Sequence, residues 1–356
     1  MAQNLENFLC TFHKKRYAHI VGNGTTAIYL AIKSLSNKIK YIGIPNNTCI
    51  HLPIAIKLAN RIPVYLDIEK KGYGLSIKDL KKAKINCLIN VHAYGKPSKI
   101  DKIKEICLKK KIFLIEDLAL AQGGYYKKNP LGSFGNISIL SFGKGKVVDA
   151  GIGGAMLTDD PNIYKLSKKI KNSFKLVNTN NLKHVSYINN LHTKIYNNYF
   201  LENKKINIKN FRRIIKLKSK YFLFNISPEQ INKIYKKCLN LKNYIKMRRK
   251  NFVELRKKIL EQKKKNIYIP KIVNGEVPWR LNIFFKDCKK RNLLLKKLLH
   301  KKINVSSWYS GLDFFFKKNL NLKYSEQHSK SILNLWINEK YDKTYLTSII
   351  KSIHQI

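Results

Sequence analysis

Residues Ser138 to Asp160, SILSFGKGKVVDAGIGGAMLTDD, form the most informative segment of this chain. An apolar run is followed by two lysines one residue apart, Lys144 and Lys146, and then by three glycines within four positions and a second apolar run. Short apolar runs bounded by glycine predict two strands joined by a loop. Both lysines therefore fall in a loop at the end of a strand that is apolar enough to be buried.

The composition fits a folded protein with a substantial core. The chain has 356 residues, 44% of them hydrophobic, which is enough for two lobes. No apolar run approaches the roughly 20 residues of a membrane helix, and the first residues show no signal-peptide pattern. The six cysteines are scattered without a CxxC pair, which argues against a disulfide framework or a metal site. We therefore expect a cytoplasmic protein that does not bind a membrane.

The formal net charge of +50 is the most unusual number in the composition. Nucleic-acid-binding proteins usually gather lysine and arginine on one face. Here only nine residues are arginine, and lysine is spread along the whole chain beside many asparagines and isoleucines. We interpret this mixture as the drift of an AT-rich genome rather than as a sign of nucleic-acid binding. The positive field would still attract anionic substrates, including phosphorylated or nucleotide-linked ones.

Residues 20–160 alternate between helical and strand patterns. Helices are predicted at 27–35, 50–60 and 101–111, and strands at 40–45, 62–68, 85–95, 112–117, 136–143 and 153–159. The strands are short and continuously apolar, as expected when helices cover both faces of a sheet. This pattern predicts a three-layer α/β/α fold with a mostly parallel central sheet, whose ligand site lies at the strand ends.

The carboxyl-terminal part of the chain has a different pattern. Residues 165–222 are rich in Lys and Asn and are too weakly patterned for an assignment. Ser227 is a plausible N-cap, with Pro228 in the first helical position and Gln230 in the third, and it introduces a long helical stretch. The remainder mixes strands and helices. We therefore predict a large domain over residues 1–240 and a smaller α+β domain over 241–356.

Three features could carry chemistry, and each also has an ordinary structural interpretation. Gly24, Thr25 and Thr26 begin a helix whose free N–H groups and hydroxyls suit a phosphate, although a threonine-capped helix would look the same. Asp117 ends an apolar strand, where a carboxylate needs a cationic partner, an N-cap role or a lysine ion pair. A lysine that forms an imine must be able to lose its proton, whereas most lysines are solvated.

Taken in order, these features resemble the pyridoxal-phosphate-dependent sugar aminotransferases of the DegT/DnrJ/EryC1/StrS family, which have the type I aspartate-aminotransferase fold. The resemblance extends over nearly the whole chain and is strongest from residue 20 to residue 160. The segments that carry it are GNGTTAIYLAI, IPNNTC, PVYLDIE, VHAYGKP, IEDLALAQGG, GSFGNISILSFGKGK and GIGGAMLTDDP.

The resemblance implies a role for each of these residues. The family's lysine lies five residues after the serine that corresponds to Ser141, which points to Lys146. Lys146 would hold pyridoxal 5′-phosphate as a Schiff base and then act as the catalytic base, with Lys144 as a neighbour that helps to lower its pKa. Asp117 would pair with the pyridinium nitrogen. The other cofactor-binding residues that the resemblance implies are Gly24, Thr25, Thr26, His92, Ser141 and Asn225.

The chain departs from the family pattern at three positions. Leu120 stands where the family has a glutamine near the ring hydroxyl. Cys49 stands where an aromatic residue is common, and His51 is the candidate to replace that aromatic residue. The asparagine that the family contributes from the partner chain falls at Leu223, two positions from Asn225. These departures put the corresponding contacts with the cofactor in question.

The function that the resemblance implies is the transfer of an amino group from an amino acid, L-glutamate above all, to a keto sugar. The sugar would be nucleotide-linked and used for cell-surface polysaccharide, and the enzyme would be a homodimer. One alternative is a pyridoxal-phosphate lyase or dehydratase, although the family's deoxygenating branch has histidine in place of this lysine. Another is a non-catalytic basic binding protein on the same fold, against which Lys146 and Asp117 both argue.

Overall fold

The central feature of the computed structural model is a seven-stranded sheet. The structure describes residues 2–70, 72–202, 216–217, 221–316, 320–338 and 341–355. In chain order the strands of the sheet are β1 (Tyr17–Val21), β2 (Tyr41–Pro45), β3 (Ile62–Leu66), β4 (Cys87–Val91), β5 (Phe113–Asp117), then β8 (Ile137–Ser141) and β9 (Gly154–Thr158) after the short hairpin β6 (Tyr125–Tyr126) and β7 (Asn129–Pro130).

The strand order places the carboxyl ends of six strands at one edge. The order is β1-β9-β8-β5-β4-β2-β3, and β9 alone in this sheet runs against its neighbours. The pairs β8–β5, β5–β4, β4–β2 and β2–β3 are parallel. Because β9 is antiparallel, its first residue, Gly154, lies at the same edge as the last residues of the other strands. This confirms the predicted mostly parallel sheet.

Helices cover both faces of this sheet, and their bounds agree with the pattern only in part. The predicted helices at 27–35, 50–60 and 101–111 are present as α2, α3 and α5. In chain order, the helices up to residue 202 are α1 (Ala2–His13), α2 (Gly24–Lys33), α3 (His51–Leu58), α4 (Ile77–Lys82), α5 (Ile100–Lys109), α6 (Pro161–Asn172) and α7 (Thr179–Glu202), with a 3₁₀ turn at Ala93–Gly95.

The weakly patterned stretch after residue 165 contains two of these helices, α6 and α7. Asp160 caps α6 by accepting the N–H groups of Asn162 and Ile163, and Pro161 occupies the first helical position. Few side chains of α6 are buried, among them Ile163 and Ser167. Such an exposed helix needs only a narrow apolar stripe, which the frequent Lys and Asn residues hide in the sequence.

The second half of the chain builds a smaller sheet. Helices α8 (Pro228–Leu239) and α9 (Leu241–Leu260) divide the long predicted helix at Asn240, and the capping box of Ser227 and Gln230 is present as expected. The antiparallel strands β10 (Ile267–Tyr268), β11 (Leu281–Phe285), β12 (Val305–Ser306) and β13 (Ile332–Leu335) follow, in the order β10-β11-β13-β12. The remaining helices are α10 (Cys288–His300), α11 (Leu312–Phe315), α12 (Lys323–Ser331) and α13 (Lys343–His354).

Each sheet has its own apolar core. Strands β4, β8 and β9 are buried along their whole length, and the smaller sheet packs its interior against α9, α10 and α13. The domain boundary predicted at residue 240 stays a prediction; at Asn240, α8 ends and α9 begins. Among the described helices we find none with the length and apolar character needed to cross a membrane.

Candidate active site

The polar residues singled out in the sequence meet at the carboxyl edge of the large sheet. Asp117 ends β5, Ser141 ends β8, and Gly24 starts the helix that follows β1. These strands are close in space although distant in sequence, because the sheet order brings β1, β8 and β5 within three places of one another. The edge therefore assembles a site from segments more than 100 residues apart.

The start of α2 forms a cradle with unused N–H groups. Asn23 is the N-cap, since its Oδ1 accepts the N–H of Thr26 at 2.8 Å and its carbonyl oxygen accepts that of Ala27 at 3.1 Å. In the described part of the chain, the N–H groups of Gly24 and Thr25 have no such acceptor. Free N–H groups at the end of a helix dipole suit an anion.

Gly24 allows the Ser141 hydroxyl to approach this cradle. A β-carbon on Gly24 would lie 3.2 Å from the Ser141 Oγ and 3.0 Å from its Cβ. Across the cradle, Gly154 lies so close to Asn23 that a β-carbon there would be 2.4 Å from the Asn23 carbonyl carbon. The glycine stretch thus lets β9 start directly against the helix N-terminus. The Thr25 Oγ1 is 3.1 Å from the His51 Nδ1, so both side chains border the cradle.

Asp117 presents one unpaired carboxylate oxygen to the site. The residue is only 3% exposed, and its Oδ1 accepts the N–H of Ala119 at 2.8 Å. Its Oδ2 has no hydrogen-bond partner among the described residues. Burial raises the pKa of Asp117, and the Ala119 N–H and the positive charge of Lys146 oppose that rise without cancelling it. A buried carboxylate in this condition is stabilised by an added cation.

His92 lies beside Asp117 but is already occupied. Its Nε2 is 3.0 Å from the Glu116 Oε2, and its Nδ1 accepts the N–H of Ser98 at 3.2 Å. His92 and Glu116 have no exposed surface. Both ring nitrogens of His92 are thus engaged within the fold, and its predicted contact with the cofactor stays a prediction. The structure also gives it an electrostatic effect on Asp117.

The loop after β8 holds Lys146 in place on both sides. Gly145 has a φ of +80°, a backbone conformation that favours glycine. Its N–H donates to the Asp149 Oδ2 at 2.7 Å. Its carbonyl oxygen accepts the indole N–H of Trp279 at 2.7 Å, and the Lys146 carbonyl oxygen accepts Arg248 Nη2 at 2.9 Å. Lys146 is therefore fixed at the backbone while its side chain remains partly accessible.

The surroundings of Lys146 favour its neutral amine. Burial is the largest cause of its lowered pKa, and the charge of Arg280 acts in the same direction. Cys49 and Asp117 oppose this shift. Lys144 is exposed and is not among the charges that act on Lys146, so the expected help from that neighbour is replaced by Arg280. A lysine with a lowered pKa is suited to nucleophilic and base chemistry.

Two other predicted cofactor residues are used within the fold. The Thr26 hydroxyl donates to the Phe222 carbonyl oxygen at 2.6 Å, so it fixes the start of α2 instead of facing the cradle. The Asn225 side-chain amide donates to the carbonyl oxygens of Lys171 and Phe174, both at 3.0 Å. The predicted contacts of Thr26 and Asn225 with the cofactor stay predictions. The remaining Asn225 Oδ1 has no hydrogen-bond partner among the described residues and acts as an acceptor only.

The residues that depart from the family pattern lie in different surroundings. Leu120 is 4% exposed and belongs to the core of the large sheet, so this side chain supplies no hydrogen bond in place of the family's glutamine. Cys49 is half-buried and close enough to Lys146 to affect its pKa. His51, which could have replaced the aromatic residue, packs on the Phe222 ring at 5.1 Å between centroids.

Sequence reasoning missed the residues that the small domain contributes. Tyr309 is 8% exposed, and its carbonyl oxygen accepts the Asn47 side-chain amide at 2.9 Å. Burial raises the pKa of Tyr309 well above its usual range, and its charge interactions include Cys49, Arg280 and Asp117. Its hydroxyl has no hydrogen-bond partner in the described part of the chain. The sequence signal was the WYSG segment, whose aromatic residues belong to no helical or strand pattern.

Comparison with known proteins identifies the family of this chain. The DegT/DnrJ/EryC1/StrS aminotransferase family matches residues 1–195. The chain is 32% identical over 166 residues to GDP-perosamine synthase of Escherichia coli O157:H7, and the alignment covers 46% of each protein. It is 30% identical over 162 residues to UDP-N-acetyl-3-dehydro-alpha-D-glucosamine 3-aminotransferase of Acidithiobacillus ferrooxidans, with 44% of each covered. The chain thus spans about half the length of the curated relatives it matches.

Solved structures extend the likeness to the whole fold. Helicobacter pylori PseC, an aminotransferase of pseudaminic acid biosynthesis, aligns with a TM-score of 0.75 and 17% identity over 99% of this chain and 90% of its own. The E. coli GDP-4-keto-6-deoxy-D-mannose-3-dehydratase with bound hydrated PLP aligns with a TM-score of 0.73 and 17% identity, covering 99% and 91%. At these identities the likeness shows the fold alone. With more than half of its length matched, this chain belongs to the DegT/DnrJ/EryC1/StrS aminotransferase family.

Proposed function

We propose that the protein is a pyridoxal-phosphate-dependent aminotransferase that moves an amino group from an amino acid to a keto sugar. The observation that carries this proposal is the convergence of a buried half-paired carboxylate, an anion cradle and a lysine with a lowered pKa at one sheet edge. L-Glutamate is the proposed donor. The named relatives that act on nucleotide-linked sugars support a nucleotide-linked acceptor for glycan synthesis.

The residues present fit pyridoxal phosphate. The unpaired Oδ2 of Asp117 would accept the pyridinium N–H, and this cation would remove the cost of burying the carboxylate. The N–H groups of Gly24 and Thr25, with the Ser141 hydroxyl, would hold the phosphate at the start of α2. Lys146 would attach the cofactor covalently. When bound, the cofactor supplies an electron sink for the bonds at the donor's α-carbon.

The protein's side chains would supply the base, the charge that keeps the ring nitrogen protonated, and one wall of the site. Lys146 would serve as the base that takes the proton from the donor's α-carbon and holds it at its amine nitrogen for return. Its lowered pKa, caused first by burial, increases the share of free amine available for this transfer. The ion pair that Asp117 makes would keep the ring nitrogen protonated, which maintains the electron sink. Tyr309, with its free hydroxyl, would border the same space from the small domain.

Assembly and location are part of the proposal. We propose a homodimer, since the family resemblance places active sites at a subunit interface; sedimentation equilibrium measures this directly. A cytoplasmic location is supported by the six cysteines, each of which is a free thiol in the structure.

The test is the visible absorption spectrum of the purified protein with pyridoxal phosphate, before and after L-glutamate. We expect an absorption band that glutamate bleaches, and a stable covalent adduct after borohydride reduction. Lys146→Ala should abolish both, whereas the matched variant Lys144→Ala, an exposed lysine of the same loop, should retain both.

The outcomes separate the competing functions. Amino transfer to a keto sugar, with the donor consumed in equal amount, supports the proposal. Release of ammonia or water without amino transfer would establish a lyase or dehydratase instead. If neither lysine variant alters the spectrum of the bound cofactor, the assignment of Lys146 is wrong. If the wild-type protein forms no band at all, the cofactor assignment fails with it.

A further inference from the structure

All three tryptophans of the chain surround one arginine, Arg280. The guanidinium carbon lies 3.9 Å from the ring centre of Trp279 and 4.1 Å from that of Trp336, with Trp308 at 5.1 Å. Trp279 and Trp308 are near parallel, at an interplanar angle of 16°. These tryptophans come from three separate segments, so the fold brings them together around a single positive charge. We call this arrangement the tryptophan cage.

The charge inside the tryptophan cage lacks an anionic partner. Arg280 is 3% exposed, and its Nη1 donates to the Ser306 hydroxyl. Its Nε has no hydrogen-bond partner, and no carboxylate of the described residues forms an ion pair with it. Contact with aromatic faces compensates only part of the cost of removing a guanidinium from water. Burial lowers the pKa of Arg280 to about 9, so the group is still a cation at neutral pH.

The tryptophan cage lies directly against the lysine loop. Its Trp279 donates its indole N–H to the Gly145 carbonyl oxygen at 2.7 Å. Arg248 joins the same two segments, since it donates to the carbonyl oxygens of Trp279 and Lys146, both at 2.9 Å. On the other side, a β-carbon on Gly145 would be 3.1 Å from the Trp336 ring. Two walls of the cage therefore touch the residue that precedes Lys146.

We propose that Arg280 binds the α-carboxylate of the amino donor, an inference that rests on the proposed function. The donor's nitrogen replaces the Lys146 amine, and its carboxylate is attached to the adjacent carbon. A carboxylate two bonds from the reacting nitrogen must lie close to Lys146, where the tryptophan cage is. The diphosphate of a nucleotide-linked sugar lies several bonds farther from the reacting carbon, so this position fits the donor better than the acceptor.

The chemistry of the tryptophan cage suits a small planar anion. A guanidinium binds a carboxylate with two parallel hydrogen bonds. The Arg280 Nε has no partner, so the guanidinium edge that contains Nε can form such a pair. Indole rings exclude water from such a pair and strengthen it. Trp308 and Trp336 are only partly buried, so side-chain rotation alone can admit a ligand. Arg280 is therefore a specificity-determining residue for the donor.

Intrinsic fluorescence measures this site without background, because the chain has no tryptophan outside the cage. The full-length protein without cofactor would be titrated with glutarate, an unreactive dicarboxylate with the carbon chain of glutamate. Glutaramide, its uncharged counterpart, and inorganic pyrophosphate would be titrated in parallel. The variants are Arg280→Gln, Arg280→Lys and the control Arg256→Gln, which removes a half-buried arginine on α9 that donates to the Ile269 carbonyl oxygen.

We expect glutarate to change the fluorescence and Arg280→Gln to weaken its binding by about tenfold or more. Arg280→Lys should recover only part of this loss, because it keeps the charge without the paired N–H groups. Glutaramide should bind poorly to every form, and Arg256→Gln should behave as wild type. Equal binding of glutarate by wild type and Arg280→Gln would overturn the proposal. An Arg280-dependent response to pyrophosphate but not to glutarate would overturn it in favour of a phosphate site.

A second measurement separates this inference from the proposed function. The glutamate concentration that half-bleaches the cofactor band should rise in Arg280→Gln by a factor similar to that for glutarate. If wild type is bleached by glutamate and Arg280→Gln needs no more glutamate, the inference fails while the function stands. If wild type never responds to glutamate, the function fails, and the donor role of Arg280 fails with it even where glutarate binding depends on Arg280.

Discussion

Asp117→Asn should have opposite effects on the protein without and with its cofactor. Without cofactor, the buried carboxylate has one N–H partner for two oxygens, and its raised pKa shows that the fold disfavours the charged form. An asparagine keeps the Ala119 N–H bond and removes the charge. We expect the variant to gain about 1 kcal/mol in free energy of unfolding. In the cofactor-bound variant an ion pair is lost, which should weaken the free energy of cofactor binding by about 2 kcal/mol, or the affinity by roughly 30-fold.

The pH dependence gives this prediction a definite sign. Because the folded-state pKa of Asp117 lies above the ordinary value of 3.8, the folded protein holds this proton more tightly than the unfolded chain. The carboxylate therefore costs stability as the pH rises from 3.8 through the raised pKa, and the cost is constant above it. The difference in unfolding free energy between variant and wild type should grow over that interval, since the other acids are common to both proteins.

The assay is urea unfolding followed by circular dichroism, without cofactor, at a series of pH values, together with a cofactor titration. Asp149→Asn is the matched control, because both Asp149 oxygens accept backbone N–H groups, from Gly145 at 2.7 Å and Gly151 at 2.9 Å. We expect that variant to lose about 1 kcal/mol instead of gaining it. If cofactor-free Asp117→Asn is less stable than wild type, or if it binds pyridoxal phosphate as tightly as wild type, Asp117 is not the unsatisfied partner of the cofactor.

Two further predictions concern the walls of the site. Asn23→Ala should lower the free energy of unfolding by about 1–2 kcal/mol, because the variant loses the cap and the bond to the Phe222 carbonyl oxygen, and it should weaken cofactor binding. Ser227→Ala, which removes the N-cap of α8, should lower the free energy of unfolding without weakening cofactor binding. Leu120→Gln should lower the free energy of unfolding of the cofactor-free protein by about 2–3 kcal/mol, because it buries an amide in an apolar core. Pyridoxal phosphate should restore part of that free energy. An unfolding curve identical to that of wild type would contradict the burial of Leu120.

The large sheet could be predicted because its strands are buried on both faces. Strands such as Cys87–Val91 and Ile137–Ser141 are continuous apolar runs, and turn residues mark their ends. The order of such strands then brings Asp117 and Ser141 to one edge, which is why a local pattern located part of the site. The exposed helix Pro161–Asn172 carried a capping signal at Asp160, but its apolar stripe was too narrow to be recognised.

The tryptophan cage could not be predicted, because none of its contacts is local. Trp279, Trp308 and Trp336 lie in segments that neither periodicity nor turn signals connect, and only the packing of the small sheet brings them around Arg280. The same holds for the bond from the Asn47 amide to the Tyr309 carbonyl oxygen, which joins residues 262 positions apart. Sequence patterns report which face of an element is buried and leave open which residues meet across two lobes.

The two adjacent carboxylates of β5 differ in how many hydrogen bonds the protein gives them. Glu116 and Asp117 point to opposite sides of the strand and are both buried. Burial alone would raise the pKa of Glu116, yet the His92 hydrogen bond and charge and the N–H groups of Gly135 and Gly132 outweigh it and hold that pKa below its usual range. Asp117 receives one N–H, and its pKa is raised. Glu116 is thus fully satisfied inside the protein, whereas Asp117 can be satisfied only by a cation that the chain itself does not provide.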